Sequence, residues 1–267
     1  MTEWIKMLAG DASDEAAVIL HLFGGPFVTI GSRRMAIPDG SKRLVAFVAL
    51  HHHRVQRRYA AGTLWPIGDD LRAAGNLRTA LWRLNQSDCP LLTADKSSLA
   101  LRTEVVVDLR IVSQWASRLI DGSASGSDLM IRPWGVDVLD LLPGWYDDWA
   151  LMERERVRQR LLHALEALSA ALVRCGRCAE AVEAAMLAVG CEPLRESAQR
   201  TLLQAHLAEG NWIEARRHFE AYRSLLLREL GTEPPPAMAR VLRQMVRRRQ
   251  ASEESPRVPA TTASARS

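Results

Sequence analysis

The sequence predicts a mainly α-helical chain in two parts, a small α+β domain followed by an all-α domain. Three observations carry this. Between residues 17 and 107, short runs rich in β-branched and aromatic residues flank three helical segments. From Asp108 onward, apolar residues recur almost entirely at helical spacing. Gly176 and Gly210 stand 34 residues apart and mark an internal repeat of helix-pair length.

Residues 1–16 carry no periodic pattern and read as an N-terminal extension. Val18–Gly24 and Pro26–Gly31 read as two strands, punctuated by Gly24, Gly25 and Pro26, and Met35–Ile37 as a short third. Ser41 is expected to cap a helix from Lys42 to about His52, with Leu44, Val45, Val48 and Ala49 on its buried face. Arg54 to Arg58 reads as a basic turn, and a second helix follows from Arg58 to Trp65, ended by Pro66 and Gly68. Asp69 or Asp70 caps the third helix, which runs to Leu84. Leu91–Thr93 and Leu99–Arg102 then form a β-hairpin whose tip, Ala94 to Ser98, carries Lys96. Helix, helix and helix followed by a hairpin is the order of a winged helix-turn-helix over residues 17–107.

Helices dominate from residue 108 to 249. Asp108 to Ile120 is the first, ending in the flexible run Asp121 to Ser127. Residues 128–142 are less regular, and a long helix runs from Asp147 to Arg174. In the repeat beyond it, Glu180 matches Glu214, Ala181 matches Ala215 and Ala185 matches Phe219. Small residues at that spacing let paired helices pack closely, as in tetratricopeptide units. Gly231 to Pro236 ends the second pair and a last helix reaches Arg249. Residues 250–267, rich in Ser, Ala, Thr and Pro, read as a disordered tail.

Composition narrows the function. No apolar run approaches the ~18 residues of a membrane span. The acidic N-terminus offers no basic segment ahead of an apolar core, so a cytoplasmic protein is expected. Residues 17–112 hold 13 Lys and Arg against 7 Asp and Glu, whereas residues 113–239 hold 14 against 18. A basic first half beside an acidic middle fits a nucleic-acid-binding domain joined to a non-binding one. Four cysteines in 267 residues make no disulfide scaffold, and the single Cys175-Gly176-Arg177-Cys178 lacks a second ligand pair. His51-His52-His53 cannot all face one ion from a helix, and no carboxylates accompany them. No metal, cofactor or catalytic constellation is therefore expected, and an enzyme is disfavoured.

The third helix carries the candidate chemistry. Ala73, Ala74, Leu77, Leu81 and Leu84 share one face, and Arg72, Asn76, Thr79 and Arg83 the other, with Arg78 at the flank. Arg matches guanine and Asn matches adenine by bidentate hydrogen bonding in the major groove. Arg72, Asn76, Thr79, Arg83 and Arg78 are thus the candidate base-facing residues. Lys42, Arg43, Arg57, Arg58 and Lys96 are the candidate phosphate contacts, which position rather than specify. Trp82 reads as a half-buried wall of the helix bundle rather than a contact to a backbone sugar. On this stretch alone, an ordinary amphipathic surface helix is the better reading.

Two longer patterns add a resemblance. Leu142-Pro143-Gly144-Trp145-Tyr146-Asp147-Asp148-Trp149 with Glu153-Arg154-Glu155-Arg156 resembles the bacterial transcriptional activator domain. So do Ala179-Glu180-Ala181 through Pro193-Leu194-Arg195-Glu196, and Glu229-Leu230-Gly231-Thr232-Glu233-Pro234. Leu20-His21-Leu22-Phe23-Gly24 through Leu101 resembles an OmpR-type winged helix. Together they resemble the Streptomyces antibiotic regulatory protein family of activators. That resemblance implies an activator that binds direct repeats in double-stranded promoter DNA as a side-by-side homodimer. It also implies contact with RNA polymerase and its sigma factor, and control of a secondary-metabolite pathway. No GxxxxGK[ST] loop or acidic receiver segment occurs, so neither ATP hydrolysis nor aspartyl phosphorylation is expected. The alternative is a tetratricopeptide-like adaptor whose winged helix binds no DNA.

Overall fold

The computed structural model describes residues 17–51, 53–87, 90–130 and 140–242. The N-terminal extension, His52, Arg247 to Arg249 and the C-terminal tail lie outside the described residues. The chain divides into two compact units, one up to Leu168 and one from Ser169 onward, with the boundary inside a long helix.

In the first unit, β1 (Val18–His21), β2 (Phe27–Ile30), β3 (Arg33–Met35) and β7 (Val105–Val107) form one sheet in the order β3-β2-β1-β7. β1 pairs antiparallel with β2, Leu20 opposite Val28, and parallel with β7, Leu20 opposite Val107. Three helices follow β3: α1 (Asp39–Leu50), α2 (Arg57–Leu64) and α3 (Asp70–Asn85). The hairpin β5 (Leu92–Ala94) and β6 (Ser98–Leu101) adds β4 (Val55–Gln56) to make a second sheet, ordered β4-β6-β5. The expected order of strands, three helices and hairpin is present. β4 and β7 went unread, because two or three residues are too few to show a period.

The cap of α1 departs from expectation. The helix begins at Asp39 after Pro38, and Ser41 lies in its first turn. The Ser41 hydroxyl is buried and donates to the Ala80 carbonyl at 2.7 Å, fastening α1 to α3. A serine can serve backbone groups of another element as readily as its own helix end. At the other end, His51 Nδ1 bonds the Phe47 carbonyl at 2.7 Å, which gives this member of the histidine run a place at the helix terminus.

α4 (Asp108–Ile120) follows directly on β7. The run after it is ordered by one carboxylate. Asp128 accepts from the Ser125 backbone N–H at 2.9 Å and from Arg118 Nε at 3.1 Å, while the indole of Trp115 donates to the Asp128 carbonyl at 3.0 Å. The expected flexible run is therefore a built corner. Its legible signal was the capping box of Ser125 and Asp128. The Arg118 guanidinium holds the Asp128 carboxyl below the usual carboxylate range.

α5 (Asp148–Arg174) begins with Trp149 packed edge-on to Phe47 of α1, ring centres 5.3 Å apart. Arg154 donates to the carbonyls of Leu141 (2.8 Å), Leu142 and Trp145 (3.1 Å). The Leu142-to-Trp149 motif and the Glu153-to-Arg156 motif are thus one structural clasp. Leu142 sits in its fold, with its N–H on the Leu22 carbonyl at 3.0 Å.

In the second unit, α6 (Cys178–Cys191), α7 (Glu196–Glu209) and α8 (Trp212–Leu230) follow the end of α5, and residues 236–242 are again helical. Ala181, Ala184, Ala185 and Ala188 of α6 are all fully buried, the small-residue seam the repeat required. The Ser169 hydroxyl donates to the Ala181 carbonyl at 2.8 Å. Leu203, Leu207, Ala215, Tyr222, Leu226 and Met238 form the core of the second pair. Gly176, Gly210 and Gly231 each close a helix with positive φ, at 76°, 81° and 65°, where a side chain would be strained. The fold is mainly α, a winged helix followed by a tetratricopeptide-like domain, as the sequence predicts.

Candidate nucleic-acid interface

α3 is set by its two ends and its apolar stripe. Asp69 is the cap, its carboxylate accepting the Arg72 N–H at 2.7 Å. Ala73, Leu77, Ala80, Leu81 and Leu84 are buried against the rest of the unit. Ala80 replaces Ala74 in the expected stripe, and this turns the helix about its axis. At about 100° per residue, the line opposite the buried face passes close to Gly75 and Trp82.

The candidate base-facing residues consequently divide. Arg72 and Thr79 are exposed on the outward half. The Thr79 hydroxyl donates to the Gly75 carbonyl at 3.1 Å, so its proton is already used. Arg83, also exposed, lies toward α1: a Cβ built on Gly40 would overlap its guanidinium. Asn76 shares that edge and is partly covered. Arg78 lies on the other edge, facing α2. Trp82 departs from expectation most clearly. It is 62% exposed rather than walled into the bundle, because at about 100° per residue it falls nearly opposite the face formed by Ala73, Leu77, Ala80, Leu81 and Leu84.

The candidate phosphate contacts also divide. Arg57, Arg58, Arg78 and Lys96 line one cleft of about 400 Å³ together with Asp70 and the exposed Leu71, floored by Ala61, Ala73 and Leu77. Three elements meet there: α2, α3 and the hairpin tip. The Arg58 guanidinium is 3.3 Å from the Asp70 carboxylate, both almost fully exposed, a pairing worth little in water. Lys42 is paired with Asp39 one turn away at 2.6 Å. Arg43 is engaged elsewhere, its guanidinium held by Asp147 ahead of α5.

The hairpin tip is tightly built. Asp95 accepts the N–H groups of Ser97 (2.8 Å) and Ser98 (2.6 Å). Arg54 grips the same carboxylate, and its Nε donates to the Ser98 hydroxyl at 2.8 Å. Arg57 donates to the Asp95 carbonyl at 3.1 Å, and its N–H to the Ser97 carbonyl at 2.8 Å. Hydrogen bonds from Ser97 and Ser98 hold the Asp95 carboxyl well below the usual carboxylate range. Lys96 is thereby presented at a rigid apex. Sequence reasoning missed this clamp, although Asp-x-Ser-Ser is a recognisable Asx-turn pattern.

Among the described residues, no group of three His, Cys, Asp or Glu side chains could hold a metal ion, and no helix is long and apolar enough to cross a membrane. Cys175 and Cys178 are free thiols.

Comparison with known proteins gives these geometries a context. Residues 131–246 match the family model of the bacterial transcriptional activator domain. The chain is 26% identical over 225 residues to the regulatory protein AfsR of Streptomyces griseus, covering 79% of this chain and 23% of that protein. It is 28% identical over 244 residues to AfsR of Streptomyces coelicolor, covering 86% and 24%. It therefore spans about a quarter of the length of these curated relatives. Among solved structures, it is similar to Mycobacterium tuberculosis EmbR, determined in complex with a low-affinity phosphopeptide. The TM-score is 0.55 at 17% identity, covering 87% of this chain and 65% of that one, a likeness of fold. Residues 131–246 thus carry a bacterial transcriptional activator domain behind a winged helix, and in this the chain is similar to the Streptomyces antibiotic regulatory protein family of transcriptional activators.

Proposed function

We propose that this activator binds promoter DNA directly, with α3 in the major groove and the β5–β6 tip on a neighbouring backbone. The observation that carries the reading is the cleft in which Arg57, Arg58, Arg78 and Lys96 gather beside the exposed side of α3. Four cations from three elements share one face, whereas the apolar side of the helix is spent on folding. Such a face attracts a polyanion, and the exposed side chains of α3 can then meet base edges. Residues 17–107 are the DNA-binding part and residues 108–249 the activator part in this reading.

Arg72, Asn76, Thr79, Arg83 and Arg78 remain the candidates for base readout. Arg57, Arg58 and Lys96 are the better-placed phosphate contacts, with Lys42 at the α1 terminus. Arg43, held by Asp147, contributes chiefly by bracing α1. The family resemblance supports the further steps: binding to direct repeats as a side-by-side homodimer, contact with RNA polymerase and its sigma factor, and control of a secondary-metabolite pathway.

The test is selection of bound sequences from a randomised duplex pool by the full chain, followed by affinity measurement across a salt series. The expected result is one preferred site. Each protomer should contribute a slope of about −3 to −4 in log affinity against log salt, from the release of counterions by about four phosphate contacts. Affinity that is flat with salt and equal for scrambled DNA would overturn the reading in favour of a protein-binding adaptor.

A further inference from the structure

Gly75 and Trp82 stand on the side of α3 turned away from its buried face. Gly75 stands mid-helix, where glycine weakens a helix relative to alanine. Nothing in the fold calls for it: a Cβ built there would meet only Arg78 Nη2, at an ordinary 3.8 Å. Trp82 is 62% exposed, although a side chain of that size gains most from being covered. Both lie within about 25° of the line opposite the buried face, two turns apart. A gap and a large indole therefore stand in succession along the most outward line of the helix. Arg78 flanks that line on the cationic side and Thr79 on the other.

We propose that Gly75 and Trp82 are themselves DNA-contacting residues, resting on the DNA-binding reading above. The missing side chain at Gly75 lets the helix backbone approach the base edges closely, one of the positions that calls for glycine. The indole of Trp82 then lies against the apolar surface of the duplex, which consists of thymine C5-methyl groups and deoxyribose edges. This contact is uncharged. It adds affinity without releasing counterions, in contrast to the cations of the neighbouring cleft. Thr79 fits this role for the line, since its hydroxyl proton is turned back to Gly75.

The test uses the full chain and the duplex chosen by selection from the randomised pool. Gly75→Ala should raise Tm by about 2 °C, as a better helix former, while weakening DNA binding. A purely structural glycine would show no such opposition. Trp82→Ala should weaken binding by about fourfold or more, the factor for one buried methylene group, with the salt slope unchanged. Trp82→Phe should recover part of the loss. Replacing thymines by deoxyuridine distinguishes the two apolar surfaces. A position sensitive in the parent and insensitive in Trp82→Ala identifies a methyl contact, and equal loss on both duplexes identifies deoxyribose. Either result supports the proposal. If the parent selects a site and both alanine variants bind it as tightly, the proposal is overturned while the DNA-binding reading stands. If the parent selects no site, both are overturned.

Discussion

Both carboxylate oxygens of Asp108 stand 3.0 Å from the backbone nitrogen of Leu22, and one of them accepts from Phe23 at 3.2 Å. The first residue of α4 thus closes the end of β1 from 86 positions away. Asp108 is fully buried, and the His21 ring beside it bonds Thr29 at 2.9 Å. Asp108→Ala leaves the three buried N–H groups of Leu22, Phe23 and Leu109 without this acceptor and should cost about 3 kcal/mol or more. Asp108→Asn keeps one acceptor oxygen and should cost less. Denaturant unfolding with an unchanged m-value checks both.

A second prediction concerns where the winged-helix part can be cut. Phe47 of α1 packs on Trp149, Arg43 pairs with Asp147, and Gly24 donates to the Asp140 carbonyl at 3.1 Å. All of these partners lie beyond residue 107 yet within the first compact unit. A fragment of residues 17–107 should therefore expose Phe23 and Phe47 and unfold or aggregate. A fragment of residues 17–168 should fold, as read by thermal melting and solution dispersity. Equal stability of the two fragments would contradict these contacts as structural supports.

The clamp at the hairpin tip makes a prediction about acid. The Asp95 carboxyl is lowered in the folded protein below its unfolded value of about 3.9. Its ordering contribution is then complete above that value and is lost as pH falls through the lowered one. The Ser97 and Ser98 amide resonances should hold their native positions at pH 4 and move only in stronger acid. Asp95→Ala should release the tip at all pH values and weaken DNA binding, since Lys96 is no longer held in one place.

Base readout and phosphate contact predict opposite patterns in a pair of variants. Arg83→Ala should reduce discrimination between the selected site and a scrambled one by about tenfold or more. Lys96→Ala should weaken both duplexes alike and reduce the salt slope by about one. Finding the reverse would exchange the roles of the α1 edge of α3 and the hairpin tip.

Most of the fold was legible because local patterns carry it. The long helix after Asp147, the third helix and the 34-residue repeat all have strong periods, and the structure returns them within a residue or two. The short strands β4 and β7 and the Asp128 corner escaped, since their order comes from partners remote in sequence or from a single side chain. Within the candidate interface, the identity of the helix was readable but its rotation was not. One alanine, Ala80 rather than Ala74, shifts the outward line from the Asn76–Arg83 edge toward Gly75 and Trp82.

Local pattern in the chain specifies the kinds and order of elements, the basic first half beside an acidic middle, and the resemblance to an activator family, through motifs whose residues are close together. Arg154 shows why such motifs are recognisable: it binds the carbonyls of a segment only nine to thirteen residues away. Which cations are available to a ligand follows from contacts remote in the chain. Lys96 is raised on a braced tip, whereas Arg43 is taken by a carboxylate 104 positions distant. A long charged side chain reaches whatever the fold brings near it, and no local period encodes that partner. Trp82, which local pattern assigned to the bundle wall, likewise stands exposed on α3, nearly opposite the face that the fold buries.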